Sequence, residues 1–367
     1  MKAAVLRQTG APLQIEQLAL DPPRAGEVRV RIEAAGVCHS DYHYMKGDLA
    51  HPLPVVLGHE GAGIVEEVGA GVTSVAPGDH VVLLWRTSCG RCEFCNRGKP
   101  ALCSLGAGIR ASGMLMDGTS RLHASSGEEM HHFLGVSCFA EEAVCPEAAV
   151  LKIPHDVPLP IAALAGCSVM TGVGAVINTA RVEPGSSVLV IGAGGVGLSV
   201  VMGAVLAGAG QIIAADLAEP KLELARSFGA THVVNAASED VVKTVRGLTG
   251  EGVDYSFEVI GNVETMAQAV RAVRRAGVAT LVGIAQMGAT FSVNALDLVL
   301  QEKSIRGSIY GSTRPAADFP RLFELYKSGR LPLDRLLTRR YPLEEINEAY
   351  QAMLGGEVAR SVVIPHG

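Results

Sequence analysis

Apolar and polar residues alternate along "EVRVRIEAAGV" (27–37), which predicts a half-buried strand, since successive side chains of a strand point to opposite faces. "APGDHVVLL" (76–84) reads as a turn followed by another strand, and glycine and proline punctuate the chain to about residue 165, so this part is expected to be strand-rich. From Ser186 the period changes. Short apolar runs now alternate with helical patterns: "SVLVIG" then 196–208, "QIIAAD" then "PKLELARSFG", "THVVNA" then 239–248, and "VDYSFEVIG" then 263–275. "VATLVGIA", a helix near 294–303 and "SIRGSIYG" complete six strands with crossover helices, which predicts an α/β fold with a doubly wound parallel sheet. After Gly311 the alternation loosens, with helices expected at 316–328 and 343–354 and a last strand "RSVVI" that can rejoin the first domain. "KIPHDVPLP" (152–160) is the expected interdomain passage.

The 23 uncharged residues Val188 to Gly210 have the length of a membrane span. Gly192, Gly194, Gly195 and Gly197 instead divide them into strand, turn and helix, and burial inside the protein accounts for their hydrophobicity. With 367 residues, 48% hydrophobic and 19% charged, the chain can build two cores. A net charge of -6 and a pI near 6.0 give no general attraction to nucleic acid or to anionic membranes, so small molecules are the expected partners. The first twenty residues lack the apolar stretch of a signal peptide, which makes a cytoplasmic location the expectation. Cysteines in a reducing compartment are read as metal ligands or reactive thiols before disulfides.

Four of the eight cysteines stand in "CGRCEFCNRGKPALC": Cys89, Cys92, Cys95 and Cys103, spaced C-x2-C-x2-C-x7-C. All four can reach one tetrahedral ion from a single short loop, and zinc fits best. A redox C-x-x-C pair, which would lack its strand-to-helix setting, and an iron–sulfur site are the alternatives. Four thiolates leave zinc no open position, so this site holds the lobe 86–106 together rather than doing chemistry. "VLVIGAGGVG" supplies Gly192, Gly194 and Gly197 as G-x-G-x-x-G between a strand and a helix, with Gly195 and Val196 inside it. Such a turn offers free N–H groups to a dinucleotide pyrophosphate. Asp216 ends the second strand of that unit, where a carboxylate accepts from ribose hydroxyls and repels a 2'-phosphate, favouring NAD over NADP; the alternative is a helix N-cap.

Cys38 in "GVCHSD", His59 in "GHEGAG" and Cys167 in "AGCSVMTG" are individually unremarkable, since buried cysteine and histidine are common. Together with the cysteine loop and the glycine turn, in this order from residue 36 to residue 360, they make the chain resemble the zinc-dependent alcohol dehydrogenases of the medium-chain dehydrogenase/reductase superfamily. That resemblance implies a β-rich GroES-like catalytic domain at 1–168, a Rossmann NAD-binding domain at 169–309 and a return to the catalytic domain at 310–367. It implies NAD and two Zn2+ per chain, the catalytic one held by Cys38, His59 and Cys167 with its fourth position open to substrate. Asp41 resembles the carboxylate that orients the histidine ligand, Glu60 a carboxylate behind the zinc, Ser40 the hydroxyl that takes the substrate proton and His43 the histidine that passes it on. For Glu60 an ion pair with a basic residue is the other reading.

The resemblance further places His39, Thr171, Lys221, Ile260 and Arg360 around the cofactor, and Leu49, Trp85, Ile284 and Ile309 along the substrate channel. A tryptophan at that position implies a narrow inner end that favours primary alcohols, aliphatic, aromatic or allylic; plain core packing is the other reading of Trp85. The segment 113–135 resembles the long loop of the class I and class III members, which implies a homodimer and raises a second activity, oxidation of S-(hydroxymethyl)glutathione. Ala107 occupies the position where class III members carry an arginine, with Arg110 out of register, which counts against that activity. A non-enzymatic zinc-binding interaction protein built on residues 89–103 is the remaining alternative, with only Arg86, Arg91, Arg97 and Lys99 to supply a basic face. Cys138 and Cys145 read as buried structural thiols.

Overall fold

A computed structural model describes all 367 residues, which divide into two compact units, Met1–Cys167 with Arg314–Gly367, and Ser168–Thr313.

The first unit is built on two sheets. A five-stranded sheet runs in the order Leu122–Ala124, Gln14–Leu20, Lys2–Leu6, Val55–Val56, His131–His132. A seven-stranded sheet runs Val150–Lys152, His80–Leu83, Gly61–Val68, Glu27–Gly36, Arg360–Ile364, Leu337–Pro342, with Glu142–Pro146 also paired to Glu27–Gly36. The alternation read from "EVRVRIEAAGV" appears as burial: Val28, Val30, Ile32 and Ala34 are fully buried, while Arg29, Arg31 and Glu33 between them reach solvent and pair with Glu142, Glu66 and Arg31. Val362 lies opposite Gly36 and Val363 opposite Ala35, antiparallel, so the C-terminal strand returns to this unit. That pairing brings Arg360 in beside the loop that carries His59 and Glu60.

The second unit has a six-stranded, wholly parallel sheet in the order His232–Asn235, Gln211–Asp216, Ser187–Ile191, Val253–Glu258, Val273–Leu281, Ser304–Gly307. Strand order reverses between Ser187–Ile191 and Val253–Glu258, and in such sheets ligands bind outside the carboxyl ends of the strands at that reversal. Leu189, Ile191, Ile213, Ala215, Val234, Val253 and Ala279 pack with Val241, Val245, Ala269 and Val270 from the covering helices to form its core. Asp240 caps the helix Val241–Thr249 by accepting from Lys243 N–H, and Asn262 caps Val263–Ala272 by accepting from Glu264 N–H. The fold is thus the α/β architecture expected, with a β-rich first unit and a doubly wound sheet in the second.

Several boundaries differ from the sequence pattern. The helix expected over 263–275 ends at Ala272, and Val273 opens the next strand. Val273 sits opposite Val253 in the parallel ladder, and Arg274 and Arg275 pair with Asp254 and Glu251, which draws these residues into the sheet. The second unit extends to Thr313, beyond residue 309, because Gly311 packs on Gly174: a Cβ at Gly174 would stand 2.6 Å from the Gly311 carbonyl oxygen. Three helical stretches carry no clear sequence signal: His39–Lys46, Ser104–Ser112 and the continuous run Leu159–Ala180. That run has the length and composition of a membrane span, yet 89% of its most apolar window is buried within the protein. It includes two wide π-helical turns, Ala165–Val169 and Ala175–Ala180.

Candidate metal centre and dinucleotide turn

The cysteine lobe has little apolar interior of its own; Phe94 and Leu102 face solvent. What organises it is sulfur. Cys89, Cys92, Cys95 and Cys103 bring their Sγ atoms within 4.8 Å of one another, with Cys92 Sγ 3.6 Å from Cys95 and 3.8 Å from Cys103. Backbone N–H groups aim at the sulfurs, Cys92 N–H at Cys89 Sγ and Cys89 N–H at Cys103 Sγ, both at 3.3 Å. Backbone hydrogen bonds, led by the N–H of Cys95, lower the Cys92 thiol to about 6, whereas burial pushes Cys95 up to about 12. Four thiol sulfurs gathered this closely fit Zn2+, which takes four such ligands in a tetrahedron.

The second cluster is assembled by three different devices. Cys38 follows the strand Glu27–Gly36 and precedes the helix His39–Lys46. His59 and Glu60 stand between Gly58 and the strand Gly61–Val68; Gly58 has φ +91°, and a Cβ there would come 2.5 Å from Phe139 N, so only glycine makes this entry. Cys167 lies on the π-helical turn Ala165–Val169, a form of helix that recurs at functional sites. Ligand atoms of Cys38, His59, Glu60 and Cys167 all lie within 4.8 Å of one another in a buried site, with His59 Nε2 3.3 Å from Cys167 Sγ.

The surroundings prepare these groups for a cation. Asp41, fully buried, accepts the Gly58 N–H at 3.1 Å through Oδ1 and sets Oδ2 2.9 Å from His59 Nδ1. A carboxylate on that side favours hydrogen on Nδ1 and leaves the Nε2 lone pair facing the sulfurs. The Cys167 thiol hydrogen-bonds to Cys38 and holds the Cys38 thiol well below its ordinary value. Glu60 is pushed up to about 8 by burial, against the pull of Arg360, whose Nη2 donates to Glu60 Oε2. Glu60 Oε1 is buried with no hydrogen-bond partner. Two thiols, an imidazole with a free lone pair and an unpaired carboxylate oxygen converging on one point fit a zinc ion.

Around this centre the first unit supplies an aromatic wall. The Trp85 ring stands 5.6 Å from the His59 ring, edge to face, and Phe133 stands 6.1 Å from it. Tyr44 and His51 pack on Phe133 at 4.8 and 5.5 Å. Phe133, Tyr44 and His51 had no signature in the sequence, because scattered aromatics have no spacing to read. Ser40 and His43 lie on the first turns of His39–Lys46, half-buried, with His43 Nδ1 3.0 Å from Asp48 Oδ2; His39 is exposed and Leu49 half-buried.

In the second unit, Gly194 caps the twelve-residue helix Gly195–Leu206, and a Cβ placed on Gly194 would meet open space. Gly197 must lack a side chain, since a Cβ would fall 1.8 Å from the Gly192 carbonyl oxygen. Asp216 does not cap the following helix, whose N-cap is Ala218; its carboxylate accepts from Ala193 N–H at 2.8 Å, tying the end of its strand to the glycine turn. Ile260 is 49% exposed, its side chain 2.7 Å from where a Gly192 Cβ would be. Val196, Lys221, Ile284 and Ile309 are half-buried, and Thr171 is buried with its hydroxyl unpartnered. Cys138 and Cys145 are fully buried free thiols, both pushed up by burial.

Residues 24–155 match the alcohol dehydrogenase GroES-like domain family and residues 195–328 the zinc-binding dehydrogenase family. The chain is 42% identical to an alcohol dehydrogenase class-3 from Cereibacter sphaeroides and 43% identical to an S-(hydroxymethyl)glutathione dehydrogenase from Synechocystis, over 99% of each chain in both cases. Its structure resembles the crystal structure of benzyl alcohol dehydrogenase from Acinetobacter calcoaceticus with a TM-score of 0.94 at 38% identity, covering 99% of this chain and 98% of that one. Near-complete overlap at this identity, around a cluster of two cysteines and a histidine, means that the chain belongs to the zinc-dependent alcohol dehydrogenases.

Proposed function

We propose that this enzyme oxidises primary, apolar alcohols, aromatic or allylic ones among them, to aldehydes with hydride transfer to NAD, and runs the reverse reduction. The observation that carries the substrate reading is that the Trp85 and Phe133 rings both stand against the His59 ring, at 5.6 and 6.1 Å: apolar walls of this kind suit an aromatic or unsaturated chain and disfavour a second bulky substituent on the reacting carbon. When bound, zinc supplies Lewis-acid polarisation of the substrate oxygen, and NAD accepts the hydride. Cys38, His59 and Cys167 hold the ion and Asp41 fixes the imidazole. Ser40 receives the substrate proton and His43, oriented by Asp48, carries it to solvent. Gly192, Gly194, Gly195, Val196 and Gly197 receive the pyrophosphate, and likeness to the family names His39 and Arg360 as its further contacts. Asp216 and Lys221 hold the adenosine ribose and Thr171 and Ile260 flank the cofactor, while likeness to the family assigns Leu49, Ile284 and Ile309 to the substrate.

Oxidation of S-(hydroxymethyl)glutathione is the second reading, favoured by the names of two of the relatives above. Against it stands Ala107, which offers the thiol's carboxylate no cation. Steady-state NADH formation with benzyl, allylic, straight-chain and secondary alcohols, beside formaldehyde with glutathione, separates the two. Turnover of benzyl alcohol without thiol is expected; a strict glutathione requirement would overturn the first reading. We further infer a cytoplasmic homodimer. Eight free cysteines suit a reducing compartment. Leu296, Val299 and Leu300, 65, 71 and 72% exposed on the helix Ala295–Leu300 beside the sheet's edge strand Ser304–Gly307, offer an apolar face to a second copy.

A further inference from the structure

Glu258 ends the strand Val253–Glu258 at the carboxyl edge of the parallel sheet, and its side chain is fully buried. Its Oε1 accepts from Ile260 N–H at 3.0 Å, Gly261 N–H at 2.8 Å and the Thr265 hydroxyl at 2.8 Å, with Asn262 N–H at 3.4 Å. Its backbone carbonyl accepts from Val282 N–H at 2.8 Å and Gly283 N–H at 3.0 Å. One residue therefore ties together the turn 259–262 and the segment 282–284. These two pack backbone to backbone: Gly261 has φ +90°, and a Cβ there would stand 2.3 Å from the Ile284 carbonyl oxygen. A Cβ on Gly283 would meet Glu258 Oε2 at 2.7 Å and Gly261 N at 2.1 Å. On the other side Ile260 closes on Gly192. The glycine turn, Ile260 and Ile284 thus form one continuous row beyond the ends of three adjacent strands, with the Glu258 carboxylate at its centre.

Burying a carboxylate is costly, and gathering its hydrogen bonds on one oxygen fixes the donors that surround it. We propose that Glu258 is a positioning residue for dinucleotide binding: it holds Ile260 and Ile284 at the spacing from Gly192 that the cofactor's nicotinamide half requires, without touching the cofactor itself. This rests on the NAD-dependent reading above. Glu258→Gln keeps the shape and one acceptor oxygen but removes the charge, and Thr265→Val removes a single donor while leaving the carboxylate.

The test is a titration of each purified protein with NADH, read by the nucleotide's fluorescence, with zinc content and steady-state kinetics measured in parallel. Glu258→Gln is expected to weaken NADH binding about tenfold and Thr265→Val about threefold, the scale of losing charge-assisted and single hydrogen bonds. Both keep wild-type zinc content, and kcat at saturating NAD is unchanged or higher, because looser binding speeds NADH release. A Glu258→Gln enzyme that binds NADH with wild-type affinity overturns the inference, as does a fall in kcat with affinity unaltered, the mark of a merely structural role. Should Glu258→Gln fail to fold, wild-type affinity in Thr265→Val overturns it equally. A wild-type chain that neither binds NADH nor reduces NAD defeats the functional reading itself, an outcome distinct from either of these.

Discussion

Replacing Asp41 by Asn tests whether the buried cluster is a metal centre whose histidine is held from behind. Asp41 faces two groups, Oδ1 accepting the Gly58 N–H and Oδ2 lying 2.9 Å from His59 Nδ1. An asparagine has one acceptor oxygen, so whichever way the amide turns, either Gly58 N–H or His59 Nδ1–H faces an NH2 group. In a fully buried position an unpaired donor costs about 1–3 kcal/mol. If the ring turns or changes tautomer to escape, Nε2 no longer offers its lone pair. Loss of such a supporting carboxylate lowers metal affinity about 10–100-fold, or about 1.4–2.7 kcal/mol. The cysteine lobe provides an internal control, since none of its sulfurs depends on Asp41. Chelator competition with zinc counted per chain is therefore expected to show one ion released 10–100-fold more readily and one unchanged, with dehydrogenase activity following the first. Two ions of undiminished affinity, or two that weaken together, would refute the reasoning.

Trp85→Ala should enlarge the inner pocket beside His59, so that kcat/KM for a bulky secondary alcohol relative to benzyl alcohol rises about tenfold, the lower end of the overpacking penalty; an unchanged ratio would contradict the wall assigned to Trp85. Cys92→Ser should remove one zinc per chain and expose residues 89–103 to limited proteolysis while the other ion stays bound, as judged by metal analysis and mass spectrometry of the nicked chain. His132 is pushed down to about 3 by burial, and it accepts the Arg121 N–H on Nε2. The unfolded chain takes up this proton below about 6.5 and the folded chain does not, so the contribution is complete above that pH and declines by about 1.4 kcal/mol per pH unit as pH falls toward 3. In urea titrations across pH, His132→Gln should show a shallower acid limb than wild type, and parallel limbs would count against the assignment.

The parallel sheet was legible where its strands are short apolar runs ended by glycine or a polar residue: "QIIAAD" is the strand Gln211–Asp216 without a shift at either end. Helix ends were less legible where a neighbouring strand competes, as at Val273, whose partner Val253 is twenty residues earlier and invisible to any local pattern. The run Leu159–Ala180 escaped notice for the opposite reason, being apolar on every side and therefore without period. The cysteine lobe could be read from spacing alone, since its ligands lie within one loop. The second cluster could not: Cys167 meets His59 across 108 residues, and only likeness to a family joined them in the sequence. Glu258 was passed over because a glutamate closing an apolar strand looks like any strand end; its role lies in the turns it gathers.

The wide turn Ala165–Val169 has a consequence for how this chain tolerates length change. A π-turn holds one residue more than the α-helical turn it replaces, so deleting a single residue there would regularise the helix with its flanking turns still in register, while shifting the residues inside the turn. Cys167 sits within that extra winding, and its sulfur would swing off the axis it shares with His59. The segment is thus a place where shortening by one yields a better helix and a poorer enzyme, so local order and ligand geometry impose opposing demands on the same five residues.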